Sequence, residues 1–344
     1  MRALLLIFIL GFLSPAVFSA EVRDPLFASS DVLEITLTGP FDRIDDERDK
    51  EQEYPGTISY VDDNGSQISL DVDFSVRGNW RLRKDNCSYS QLWLDLKRSQ
   101  TPGTLFENQN RLKLVVQCRR QDNYAGLVAK EYQAYKIFEE LSEFNYDTRF
   151  SQVNYVDSEE EGRDRSHVAF FIEHQNSLAD KFSMEEVELN AVFYGEINPI
   201  QASVVALFMF MIGNTDFSVA QAQEGDECCH NVKLLVKEPR EYFPIPYDFD
   251  SSGFVEASYA APPGFNLRNS RERLFRGYCA HRESIPEAIA TFMDAREAIE
   301  EIINNSELLS ARAKRRNQGF IEDFYDVLGS ERQLERQIYS DCRG

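Results

Sequence analysis

The hydrophobic period changes once along this chain, and that change limits the fold more than any other feature. Up to about residue 173 the apolar residues recur mainly at every second position, the spacing of half-buried strands. Leu33, Ile35 and Leu37 share one face, as do Ile58 and Tyr60, then Ile68, Leu70 and Val72. Asp63-Asn64-Gly65 is a hairpin turn between the last two runs. The acidic stretch 42–53 reads as a solvated loop. Further strands are predicted over 91–96, 111–117, 149–156 and 168–173, with one helix over 127–142. Beyond Asp180 the spacing becomes helical. Segments 184–192, 285–304 and 318–328 read as helices, and Pro199 opens another whose body, 202–212, is almost wholly apolar. That body is too short to span a bilayer, so a buried core helix is expected. The fold class is therefore α+β, with a β-rich region over 21–176 and a helical region over 177–344.

The first twenty residues have a chemistry of their own. Arg2 precedes an apolar run over 4–13, Pro15 breaks it, and small residues follow at Ala16, Ser19 and Ala20. This order is that of a secretory signal peptide, its apolar part too short for a membrane span. About 324 residues remain, enough for one large domain or two small ones. The expected location is outside the cytoplasm, in a bacterial periplasm or the extracellular space. Six cysteines, an even number in an exported chain, point to disulfides. Cys228 and Cys229 are adjacent, so each is expected to have a distant partner. A zinc site at Cys228-Cys229-His230 lacks the second spaced pair that structural zinc needs. The net charge of −21 makes nucleic acid and anionic lipid poor partners.

The segment 213–253 differs from a plain loop. The apolar helix delivers Gly213-Asn214-Thr215-Asp216, and a cysteine-rich stretch then reaches His230-Asn231. A strand over 232–236 and a charged turn follow. A second strand, 242–247, ends in Asp248-Phe249-Asp250-Ser251-Ser252-Gly253. Carboxylates and an amide at strand ends suit a hard cation such as Mg²⁺, which prefers oxygen ligands. Phosphoryl transfer needs metal ions on the phosphates, a carboxylate to orient the nucleophile and a lysine on the phosphates. Isolated His167, His174 and His281 give no support to a hydrolase triad.

This segment resembles the catalytic region of the CotH-like atypical secreted kinases, where an Asn-x-Asp turn precedes an Asn and a Tyr/Trp-Asp-x-Asp strand end. HipA-type kinases share the Asn-x-Asp turn. The resemblance implies a kinase-like, two-lobed fold with a β-rich N-lobe and a mainly helical C-lobe. It implies ATP with Mg²⁺ (or Mn²⁺) as the bound species, and a protein or glycan hydroxyl as acceptor. Asp216 would be the catalytic aspartate, and Asn231 and Asp248 metal ligands. Asp250 competes with Asp248, because alternate strand positions share a face. Asn214 would support the turn.

Arg77-Gly78-Asn79 is similar to an early motif of the same family, and Gly78 would let backbone approach a phosphate. Lys113 on a strand and Glu131 on the next helix would be the phosphate lysine and its partner, with Lys130 as the alternative cation. Glu173, at the junction between the two regions, would face the ribose. Two departures stand out. The gap from Asp216 to Asn231 is 15 residues, against about five in ordinary kinases. Phe217-Ser218 stands where the family often has Asp-x-His. A degenerate, non-catalytic binding protein and a calcium-dependent adhesion module are the other functional expectations.

Overall fold

Alternating apolar residues curl the first half of the chain into a barrel. In the computed structural model, which describes residues 23–187, 189–222, 228–237, 240–261 and 264–344, the elements come in this order. β1 (Leu33–Gly39), α1 (Phe41–Glu47), β2 (Tyr54–Val61), β3 (Gln67–Arg77), β4 (Gln91–Leu96) and β5 (Arg111–Val116) lead into α2 (Asp122–Glu139). β6 (Thr148–Asp157) and β7 (Arg165–Ile172) follow. These seven strands form a closed barrel in the order β1-β2-β3-β4-β5-β7-β6. Every pairing is antiparallel except the closing one, in which β1 runs parallel to β6 from Leu33 opposite Ser151 to Gly39 opposite Asp157. The inward faces are filled by Leu37, Ile58, Phe74, Leu94, Leu112, Leu114, Val153 and Phe171, all nearly or fully buried. Gly56 belongs to that packing. A Cβ there would collide with the Thr38 carbonyl oxygen and the Phe74 ring.

The closure overturns the expectation of a two-lobed, kinase-like fold with a β-rich N-lobe and a helical C-lobe. An open lobe sheet would leave β1 and β6 with unpaired backbone groups, whereas here each satisfies the other along its length. The broader α+β class stands.

The rest of the chain forms α3 (Gln175–Lys181), β8 (Glu185–Glu186), α4 (Pro199–Ile212), β9 (Val232–Lys237), β10 (Glu241–Pro246), α5 (Ile285–Asp294), α6 (Arg296–Asn305), α7 (Ala311–Leu328) and α8 (Glu331–Leu334). α4 is the buried core helix its composition predicts. Asn198 caps its first turn by accepting from the Gln201 amide, Pro199 sits at its start, and Gly213 ends it at φ +66°. α2 joins the two halves. Its Tyr132 and Tyr135 pack on Phe150 and Phe170 of the barrel wall, and its Phe138 packs on Phe208 of α4.

Two helical expectations fail. Residues 184–192 form no helix among those described; instead β8 pairs with β9, and the Val187 amide donates to the Leu234 carbonyl. The predicted helix 285–304 is two helices, broken at Ala295, so that α5 packs on α4 while α6 turns toward α2 and α7. Residues 271–278 form no helix or strand, apart from an isolated bridge at Tyr278.

All six cysteines are paired: Cys87 with Cys118, Cys279 with Cys342, and Cys228 with its neighbour Cys229. The expectation of distant partners for Cys228 and Cys229 is therefore wrong, because the other four pair among themselves. Three disulfides fit an oxidising compartment. Among the described residues no helix is long and apolar enough to cross a membrane. The signal-peptide expectation concerns residues that lie outside those described.

Candidate functional site

β3 ends at Arg77, Gly78 turns the chain at φ +84°, and Arg81 then enters the interior. Arg81 is 8% exposed. Its Nη2 donates to Glu131 Oε2 at 2.9 Å and its Nε to Asp250 Oδ2 at 2.7 Å, while Asp248 Oδ1 lies 3.6 Å from Nη2. One guanidinium thus joins α2 to the turn after β10. Burial opposes its charge, but Asp250 and Glu131 hold its pKa well above the ordinary value. Glu131 is 2% exposed, and burial pushes its carboxyl up, reinforced by Asp250 and Asp248 against the pull of Arg81.

β5 brings Lys113 to the same place. Its Nζ lies 4.6 Å from the Tyr247 ring centre and 5.5 Å from those of Trp93 and Tyr146. It is 6% exposed, and no carboxylate lies within ion-pair distance of it among the described residues. Burial, then the charge of Arg77, pulls its pKa down to about 7. Arg77 is half-buried, and its Nε is buried without a hydrogen-bond partner among the described residues. Two cations short of counter-charge on one wall make an anion-accepting surface.

The third part comes from the end of α4. Buried Asn214 accepts from the Asp216 amide at 2.8 Å, forming the Asx turn expected of it. The Asp216 carboxylate is held from two sides: His230 Nε2 lies 2.7 Å from Oδ1, and Asn231 Nδ2 donates to Oδ2 at 3.2 Å and to the Asp216 carbonyl at 2.7 Å. Asn231 therefore reaches Asp216 despite the long gap in sequence. Asn231 sits at φ +52°, and its carbonyl accepts from the Tyr247 amide at 3.0 Å. Hydrogen bonds from Gly253 to Gly213 and from Phe254 to Ile212 tie the Asp248–Asp250 turn to the end of α4. Asp248, at φ +61°, donates its amide to the Tyr135 hydroxyl at 2.9 Å. Its side chain is 43% exposed, yet protein surrounds it. That desolvation and the charge of Asp250 push its carboxyl up, with Asp216 adding a smaller repulsion.

The structure thus gathers Asp216, Asn231, Asp248, Asp250, Glu131 and Lys113 into one region, with Gly78 at its corner. Glu173 does something different. It is buried, and its Oε1 accepts from the Asp147 amide at 2.6 Å, fixing the turn before β6. Lys130, the alternative cation, donates to the Val255 carbonyl at 3.0 Å. Sequence reasoning missed Arg81, gave Arg77 no role of its own within the Arg77-Gly78-Asn79 motif, and weighed His230 only as a zinc ligand. The spacing Arg77-Gly-Asn-Trp-Arg81 after a strand was a usable signal, since both cations flank one turn. His230 adjoins Asn231, but its contact with Asp216, 14 positions away, shows only in the tertiary structure.

Among the described residues no group of three or more His, Cys, Asp or Glu side chains is placed to hold a metal ion. Asp250 is engaged by Arg81, so no all-protein cage exists there. Mg²⁺ is commonly held by one or two carboxylates together with substrate phosphates, and half-exposed Asp248 beside Asn231 fits that lesser demand.

Beyond Asp216 lies a cavity of about 320 Å³ bordered by Asp216, His230, Ser251, Phe265, Arg276 and Arg343. The Arg276 Nη1 donates to the Thr215 and Phe217 carbonyls and braces the turn that carries Asp216.

No family model, no curated protein and no solved structure matches this chain. The likeness to CotH-type kinases rests on the sequence motifs alone.

Proposed function

We propose that this chain binds a nucleotide such as ATP through its phosphates, together with a divalent cation, and transfers a phosphoryl group to a hydroxyl of a protein or glycan. The observation that carries this reading is the Asp216 carboxylate, held by His230 and Asn231 within electrostatic reach of Asp248 on the turn that Arg81 anchors. Function of this kind belongs to a site and not to a fold, so the closed barrel does not argue against it.

Arg77 and Lys113 neutralise the phosphates, and a phosphate oxygen supplies the acceptor that Arg77 Nε lacks. Asp248 and Asn231 would hold Mg²⁺, which supplies further neutralisation of phosphate charge when bound. Asp216 accepts the acceptor's hydroxyl proton as the oxygen bonds to the γ-phosphorus and the bridging P–O bond breaks, the electron pair leaving with the nucleoside diphosphate. His230 and Asn231 keep the Asp216 oxygens aimed. A binding protein without transfer is the second reading, favoured by the engagement of Asp250 with Arg81, which removes one ligand.

The test is a thermal-shift panel with Mg²⁺-ATP, Mn²⁺-ATP and Ca²⁺, joined to a phosphate-transfer assay on wild type and Asp216→Asn. The expected result is stabilisation by Mg²⁺-ATP in both proteins and transfer reduced by about 100-fold or more in the variant. Absence of any nucleotide shift and of any transfer in wild type would remove the proposal; a shift without transfer selects the second reading.

A further inference from the structure

The cavity beyond Asp216 has a composition unlike that of the phosphate-facing wall. Arg77, Arg81 and Lys113 do not border it. Asp216 and His230 do, so one carboxylate touches the cavity while its charge also acts on Asp248. Arg276 and Arg343 stand in the cavity wall, and neither has an ion-pair partner among the described residues. Each lies against an aromatic ring: Arg276 is 4.4 Å from the centre of Phe265, Arg343 5.2 Å from that of Tyr278. The Arg276 Nε is buried with no hydrogen-bond partner among the described residues. Burial, then the charge of Arg343, depresses Arg276 to about 10. Both charges line the same cavity and Asp216 opposes that of Arg343 on Arg276 only in part, so the cavity favours a further anion.

The remainder of the lining is hydroxyl-rich and carries one exposed ring. Thr215, Ser218, Ser251 and Ser270 border the cavity, with Phe265, 55% exposed, on its wall. Hydroxyl donors beside a ring face suit a sugar, whose C–H face covers the ring while its hydroxyls are hydrogen-bonded. About 320 Å³ is at the small end of ligand pockets, which run from about 300 to 1,000 Å³, and accommodates one sugar ring in preference to a length of peptide.

We infer that this cavity is an acceptor subsite for a carboxylate-bearing sugar unit, a uronic acid, whose carboxylate pairs with Arg276 and Arg343 while a ring hydroxyl faces Asp216. The inference deepens the phosphoryl-transfer reading and rests on it for the role of that hydroxyl, but the binding it asserts needs neither nucleotide nor metal. The test is calorimetric titration of glucuronate and of glucose into the full chain with no nucleotide present, for wild type and Arg343→Gln. Arg343 is the better probe, because Arg276 also braces the Asp216 turn, and circular dichroism checks that the variant is folded. Glucuronate is expected to bind at least tenfold more tightly than glucose, and Arg343→Gln to abolish that preference. Equal affinity for the two sugars, no binding of either, or a preference that survives in Arg343→Gln overturns the inference. Binding instead of a serine peptide flanked by aspartates, with glucuronate inert, overturns it as well. Any of these outcomes leaves the Mg²⁺-ATP shift and the Asp216→Asn result unaffected, so the two readings fail separately.

Discussion

Arg81 holds two buried carboxylates from distant parts of the chain, and its removal tests how much the site contributes to stability. Arg81→Met leaves Glu131 and Asp250 without their cation, a change expected to cost about 3–5 kcal/mol in urea unfolding. A change near zero would show that water or rearrangement compensates both carboxylates. Lys113 offers a second measurement. Its pKa falls from 10.5 to about 7 on folding, so between those values the folded protein holds fewer protons than the unfolded chain. Stability from this group therefore rises with pH across that window and is lost as pH falls toward 7. A bound phosphate reverses the depression. Nucleotide binding at pH 8 is expected to take up a proton, and at pH 6 to take up much less. Titration in buffers of different ionisation enthalpy reads the uptake, which Lys113→Met should abolish. Lys113 does lie on a strand and Glu131 on a helix, but the pairing expected between them does not form, because Arg81 takes Glu131. Arg81 was not legible in the sequence, because an arginine in an irregular segment shows its partners only once α2 and the turn after β10 are in place.

Local patterns located most elements, and the failures share one cause. The strands of the barrel follow from period two, and α4 from its unbroken apolar body. β8 was misread because Met184, Val187 and Val192 fit a helical face as well as an irregular strand. Only its pairing with β9 decides between them. The break at Ala295 likewise answers to packing on two different neighbours. The disulfides act at this scale too. Cys279 and Cys342 are 63 residues apart, so their bond holds the segment before α5 to the chain end beyond α8. Replacing both with serine is expected to cost about 4 kcal/mol on loop-closure grounds. The Cys228–Cys229 bond closes no such loop. Its replacement is expected to change global unfolding far less, while altering the site through His230 and Asn231. Urea unfolding of the two double variants checks the contrast.

The barrel interior has a core of its own, while α2 belongs to the core of the helical body, in which it packs against β6 and β7 of the barrel wall and against α6. One cooperative transition is therefore expected for the whole chain. Trp93 lies on β4, whereas Trp80, just beyond β3, donates to the Tyr259 carbonyl, so in Trp80→Phe tryptophan fluorescence follows the barrel while circular dichroism at the helical minimum follows mainly α2 and α4 to α7. Coincident urea midpoints are the expected outcome, and two separated midpoints would show that α2 does not couple the halves. Barrel closure was the least legible feature of the fold, since no local pattern announces that the first strand pairs with the sixth.

That pairing also sets an order of events. Leu33 waits for Ser151, so a polypeptide emerging amino-terminus first makes five strands and two helices before β1 finds its last neighbour. A seam joined so late implies high contact order and slow folding. Until it closes, both margins of the unfinished sheet can recruit strands from other chains.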